Sequence, residues 1–308
     1  MSHCRVVAIF AVFASCLVPA APLRGEEPTA AEIPPQIKAM LALGRGQRGM
    51  DNEELADFDK TVKDAEKLEG LFTLYRKKGK LLAEIKPSQF GEMYLAPVTI
   101  AKGMAAAGNP MNFGEEWIIT FKRVENNVQL IRKNVHYEAP EGSPLKKAVE
   151  QNYTDSILMS IPIVCINKQS QGVLIDLGDI FMTDFAQMGI GMLDRSRTSW
   201  HKVKAYPNNI ELQVECTYQT GGSIGRMFGF GDSGVIDPRG TTVVLHYSIA
   251  KRPPAGYQPR YADYRVGHFI SATKDFSAED PEKTFRKRVN RWRLEKANAH
   301  ADLSPPKK

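Results

Sequence analysis

The chain has 308 residues, 43% of them hydrophobic and 25% charged, the balance of an ordinary globular protein large enough for one large or two medium domains. Its net charge of +6 is concentrated at the ends: residues 26–282 hold 30 Lys and Arg against 33 Asp and Glu, while residues 283–308 hold nine basic and two acidic residues. A near-neutral body with a basic tail argues against a nucleic-acid binder, which would spread positive charge and aromatics over a folded face.

Residues 1–25 read as a secretory signal peptide. Arg5 supplies the positive start, residues 6–18 form an apolar core too short to span a bilayer, and Ala20, Ala21 and Gly25 offer small residues for cleavage. The expected location is therefore secreted or periplasmic. A lipid anchor at Cys16 is an alternative, for which Phe13 is a poor fit; an N-terminal helix buried in a cytosolic protein is another. No later stretch reaches 18 apolar residues, so no transmembrane segment is expected.

Residues 26–50 have the Pro, Ala and Gly content of a flexible linker. Residues 51–90 are expected to form a small helix-hairpin domain. Leu55, Phe58, Val62 and Ala65 have helical spacing, and LFTLYRKKGKLLAEIK alternates around Gly79 as a hairpin does.

Residues 91–282 read as a β-rich α+β domain of antiparallel sheets, a few short helices and long loops. MYLAPVTIA, EWIITFKRV, ENNVQLIRKNVHYEA, NIELQVECTYQ, TTVVLHYSIAKR and GHFISATKDF are strand candidates, with a turn at Asn126-Asn127. One helix is expected to start at Ser143 and Pro144 and to run until Pro162 stops it. Residues 172–187 read as a strand leading into a short helix capped by Asp179. Residues 289–296 alternate as an edge strand would, with an amphipathic helix through Phe285, Val289 and Trp292 as the competing assignment. The basic run there could meet a polyanion or simply guard a sheet edge.

Candidate chemistry is sparse. The Gly-Asp-Ser-Gly of residues 231–234 is similar to the nucleophile loop of trypsin-like serine proteases. However, no His here has the Ala-Ala-His-Cys context, and the surrounding glycines suit a surface loop. That loop also lacks the spacing of a phosphate cradle. His136, His201, His246 and His268 have no His four residues away, so no helix presents two imidazoles to one zinc. His246 sits in an apolar strand and reads as a hydrogen-bonded structural residue, and His136 and His268 read as strand residues. Asp176, Asp179 and Asp184 could suggest calcium, but the apolar residues between them do not make a compact oxygen loop. Cys165 and Cys216 could pair in an oxidising compartment or remain buried thiols. No catalytic, cofactor-binding or metal residue is assigned on this basis.

Several stretches resemble a known family. GLFTLYRKKGKLLAEI, GVLIDLGDIFMTDF, SRTSWHKVKAYPNNIELQVECTY, YADYRVGHF and RWRLEKANAHADLSPPKK are similar, in this order, to the N-terminal region of secreted bacterial zinc-dependent metalloproteases. In those proteins two domains of unknown function precede a catalytic domain carrying HExxHxxGxxH. The resemblance implies that residues 283–308 lead toward a catalytic domain that this sequence does not contain. HExxH occurs nowhere here, and it is the motif that places two His and a water-activating Glu around zinc. The expectation is a non-catalytic module, inactive alone, that supports a protease domain in cis or in trans, with zinc only in that missing domain and a peptide as the eventual substrate. A free-standing peptide- or glycan-binding module is the alternative. It would use its sheet or the Gly-rich loop around residues 227–230. A third reading has Cys165 or a carboxylate of this region inhibiting a zinc enzyme supplied in trans.

Overall fold

In the computed structural model, residues 55–103, 117–219, 237, 239–253, 256, 258–278 and 284–291 are described. The expected signal (residues 1–25) and linker (residues 26–50), the Gly-rich stretch of residues 221–234 and the segment after residue 291 lie outside them. The described chain is β-rich. In order it contains α1 (Phe58–Val62), β1 (Glu66–Leu68), β2 (Thr73–Lys77), β3 (Lys80–Ile85), β4 (Tyr94–Leu95), β5 (Val98–Lys102), β6 (Ile118–Val124), β7 (Asn127–Arg132) and β8 (Tyr137–Glu138). Then follow α2 (Pro144–Asn152), β9 (Ser156–Ile166), β10 (Val173–Asp176), α3 (Gly178–Phe181), β11 (Met192–Leu193), β12 (Ser199–Tyr206), β13 (Asn209–Gln219), β14 (Thr241–Lys251), β15 (Ile270–Asp275) and β16 (Phe285–Val289).

The hairpin signal is explicit in the backbone. Lys78 and Gly79 both take positive φ, 46° and 79°, the geometry of a two-residue turn whose twist matches the strands it joins. β3 then pairs antiparallel with β10, β10 with β9, and β9 with β7. The hairpin and the strands after residue 91 therefore share one sheet, in the order β1-β2-β3-β10-β9-β7-β6-β4-β14-β13-β11, with β12 on β13 and β5 on β14.

This thirteen-stranded antiparallel sheet curls until it nearly closes into a barrel. At one corner its two ends meet: the Leu71 N–H donates to the Tyr206 carbonyl at 2.7 Å. Gly70 sits at that seam, because a Cβ there would lie 2.7 Å from the Tyr206 backbone N and O. The inward residues alternate strictly where one wall faces water, as in Ile210, Leu212, Val214 and Cys216 of β13. Phe72, Tyr94 and Phe121 pack at centroid distances of 5.3–6.1 Å within the same core. β3 and β10 are buried on both faces, because α1 covers their outer side: Phe58 and Val62 pack against Tyr75, Leu82, Cys165 and Leu174. Each of these buried apolar side chains contributes roughly 1.5–3 kcal/mol relative to exposure.

Several expectations need correction. The helix starts as expected, with Ser143 Oγ accepting from the Lys146 N–H, but it ends at Asn152 rather than reaching Pro162. Residues 156–166 form a strand instead, since their apolar and β-branched side chains satisfy a sheet position better than a solvent-exposed helix. Pro162 is tolerated there because it lies where β9 leaves β7 and begins to pair with β10. The turn before β7 is Glu125-Asn126, with Glu125 at φ 52°, one residue earlier than expected. Asp179 does not cap α3: the residue before that helix is Leu177, and it is Asp176 Oδ1 that accepts from the Gly178 N–H.

A second sheet, β16-β15-β8, stands apart from the first. Residues 285–289 are strand rather than the amphipathic helix, and residues 260–262 line the outer edge of β16 through the Ala262 N–H to Lys287 carbonyl and Val289 N–H to Arg260 carbonyl bonds. α2 packs on this sheet by stacking Tyr153 on Tyr137 at 3.8 Å, with Phe276 beside both. No helix among the described residues is long and apolar enough to cross a membrane.

Candidate functional site

The residues that the sequence offers for chemistry do not converge. Asp176 is spent on the Gly178 N–H, and burial holds its carboxyl above the usual range. Asp179 pairs with Arg195 at 3.1 Å. Asp184 accepts from the Tyr218 hydroxyl at 2.8 Å and from the Met188 N–H. Each carboxylate serves a local structural bond. Among the described residues no group of three His, Cys, Asp or Glu is placed to hold a metal ion.

Cys165 and Cys216 are both reduced and fully buried. Cys165 belongs to the small cluster under α1, whereas Cys216 faces the barrel core. Burial pushes the Cys216 thiol up to about 12, with the nearby Asp184 adding to it, and burial also raises Cys165. The Gly-Asp-Ser-Gly loop at residues 231–234 lies outside the described residues.

Of the histidines, His136 and His268 sit in the chain just before β8 and β15, outside the strands expected for them. At His136 the Asn134 side chain accepts from the His136 N–H and bends the chain there. His201 and His246 lie on strands of the barrel wall, on the face turned to solvent.

That outer face of β12–β14 carries a polar site. It holds an open depression of about 180 Å³ lined by Lys202, Lys204, Tyr206, Glu211, Gln213 and His246. Strand pleating explains the set: Lys202 stands opposite Gln213, Lys204 opposite Glu211, and Gln213 opposite His246, all on the face away from the core. A β-bulge between Trp200 and Lys202 inserts His201 as the extra residue, so that two consecutive side chains, His201 and Lys202, both face water.

Glu211 organises the depression. Its Oε2 accepts from His246 Nε2 at 2.6 Å, and its Oε1 accepts from Ser248 Oγ at 2.8 Å and from the Asn209 side chain. This carboxylate sits directly across from Lys204, the position of an ordinary cross-strand ion pair. It is turned toward β14 instead, and neither Lys202 nor Lys204 has an ion-pair partner among the described residues. The Ser248, Glu211 and His246 arrangement is not a hydrolytic triad, because the carboxylate lies between the hydroxyl and the imidazole and the Ser has no base.

The second surface of note is apolar. Six of the eleven exposed large apolar side chains among the described residues fall between residues 261 and 285: Tyr261, Tyr264, Val266, Phe269, Ile270 and Phe285. Ile270 and Phe285 share one face of the small sheet, opposite Val289 and Lys274 respectively. The other face is polar. Arg288 binds Glu138 and the Thr273 hydroxyl, and Arg286 binds Asp275, so part of the basic run is already neutralised.

Residues 111–297 match the domain of unknown function DUF5117. The chain belongs to this family. The DUF5117 match spans β6 to β16 and so includes both the polar depression and the small sheet. Searches of curated proteins and of solved structures find no match.

Sequence reading alone named His246 but not Lys202, Lys204, Glu211 or Ser248. The only available signal was the alternation of charge in residues 199–215. It identifies an exposed sheet face but not which side chains meet.

Proposed function

We propose that this DUF5117 chain is a non-catalytic, extracytoplasmic module of a zinc-metalloprotease-like protein, which packs against a protease domain supplied in cis or in trans. In this reading the module is an α+β platform with a closed core, and its small sheet is the docking element. The observation that carries the reading is the concentration of exposed Tyr, Phe, Val and Ile at residues 261–285. It runs into residues 283–308, the segment that in this reading leads toward the catalytic domain. Monomeric proteins seldom leave large apolar side chains grouped on one element unless something covers them. The peptide substrate and the zinc would then belong to the partner domain.

The test is co-purification of this chain with an HExxH-containing domain taken from a protein in which the resembling stretches precede it. A stable complex is expected. Tyr264→Ser combined with Phe285→Ser should weaken it at least tenfold while leaving the melting temperature of the isolated chain nearly unchanged, since both rings are already exposed. Absence of a complex would overturn the docking role. Chelator-sensitive casein cleavage by the purified chain alone would overturn the non-catalytic assignment.

A further inference from the structure

We propose that the depression on the outer face of β12–β14 binds a carboxylate-bearing sugar, one hexuronate unit of an acidic saccharide. The inference stands apart from the docking role of the small sheet, because it uses a different sheet and different residues.

Size comes first. A volume of about 180 Å³ is below the roughly 300–1,000 Å³ of drug-sized sites, so it admits one sugar-sized group rather than an extended ligand. Charge comes next. Lys202 and Lys204 project from alternate positions of one strand, about 7 Å apart along it, onto the same side of the depression. Among the described residues neither ammonium group makes an ion pair, because Glu211, the residue directly opposite Lys204, is turned to His246, Ser248 and Asn209. Two lysines without an ion-pair partner on one wall favour an anionic group.

The remaining residues decide which anion. Glu211 uses three of the roughly four acceptor positions of a carboxylate on protein donors and, lining the depression with its side chain partly exposed, has about one left for a ligand. A ligand that sits there must therefore donate a hydrogen bond. Sulfate has no such donor, and hydrogenphosphate has a single O–H and brings two negative charges toward the carboxylate. A sugar acid supplies both halves, a carboxylate for the two lysines and hydroxyls for Glu211 and the Gln213 amide. Tyr206 closes the depression at the strand end with a ring 42% exposed, an apolar face against which a pyranose can lie. His246 is fixed by its bond to Glu211 and forms the opposite wall.

The experiment is calorimetric or NMR titration of the purified chain with trigalacturonate, galactotriose, an acidic hexapeptide and inorganic phosphate. Trigalacturonate should bind, and galactotriose should not. A charge-assisted hydrogen bond lost at either lysine amounts to about tenfold in affinity, so Lys202→Gln and Lys204→Gln should each weaken binding by about that factor. Tyr206→Ser should weaken it as well, and none of the three exposed changes should lower the melting temperature by more than a degree or two. No binding of trigalacturonate would overturn the proposal. Equal binding of phosphate or of the acidic peptide would also overturn it, leaving only an unselective cationic face. So would trigalacturonate affinity that survives both lysine substitutions.

Discussion

Gly70→Ala tests the near-closure of the barrel at its most exacting point. The added Cβ would lie 2.7 Å from both the N and the O of Tyr206 and 2.8 Å from the Ala205 Cβ, against an ordinary contact limit of 3.4 Å. Backbone atoms of a paired strand cannot rotate aside, so the seam must open by about 0.7 Å to restore contact distance. The Leu71 N–H to Tyr206 carbonyl bond, now 2.7 Å, then stretches to about 3.4 Å, beyond useful hydrogen-bond range. Losing that bond costs about 1 kcal/mol, and overpacking adds about 1–3 kcal/mol, for a total of about 2–4 kcal/mol. For a folded unit of this size that corresponds to a melting-temperature drop of about 5–15 °C. Thermal unfolding followed by far-UV circular dichroism measures it. Gly267→Ala serves as the control: nothing lies within 4 Å of its added Cβ, and its transition should not move. A Gly70→Ala protein melting within 2 °C of the parent would show that the two sheet ends do not touch in solution.

Three further outcomes are expected. Tyr247 is fully buried and its hydroxyl points toward the Ala186 backbone without a well-formed hydrogen bond, so Tyr247→Phe should leave stability unchanged or raise it by about 1 kcal/mol; a loss of more than that in urea unfolding would reveal a partner for the hydroxyl. Cys165 and Cys216 should both count as free thiols in urea under non-reducing conditions yet resist a thiol reagent in the folded protein, and rapid labelling without denaturant would contradict their burial. Hydrogen bonds from Ser277, and then the Arg286 guanidinium, hold the Asp275 carboxyl below its ordinary value. Its folded pKa is therefore below its unfolded one, so its stabilising effect is fully present above about pH 4 and fades as pH falls through the folded value. The stability gap between the parent and Asp275→Asn should narrow from pH 7 to pH 2.5, and a gap independent of pH would refute this account.

Local signals carried much of the fold. Residues 73–85 advertise a hairpin because strand-forming residues flank a Lys-Gly turn, and residues 209–216 and 245–250 alternate so regularly that their buried face follows from period two. The helix of residues 144–152 has a strong start signal but no Gly to end it, and that left its end open on the sequence. Whether residues 156–166 continue it or form a strand depends on β7 and β10, which lie on either side in space and not in sequence. Pairings of that range, such as β3 with β10, have no local signature at all. The same holds for the polar site, where Glu211 meets His246 and Ser248 35 and 37 residues away.

The strand that escaped periodicity is also the one that forms a wall of the candidate site. In residues 199–206 the alternation fails at His201 and Lys202, two successive exposed side chains, and a strict reading of period two finds no strand there. The structure shows why: an extra residue at that point shifts the register against β13 and turns both side chains outward. The bulge takes up His201 while Trp200 stays buried opposite Val214 and Lys202 and Lys204 stay on the outer face opposite Gln213 and Glu211. Deleting His201 would join Trp200 directly to Lys202, opposite Val214 and Gln213, and so make the pairing regular with Ser199, Trp200 and both lysines on the faces they now occupy. What the departure adds to the outer face is the His201 imidazole, next to Lys202. Local rules and the observed structure are expected to diverge at such positions, where a side chain's direction matters more than the stability of its strand.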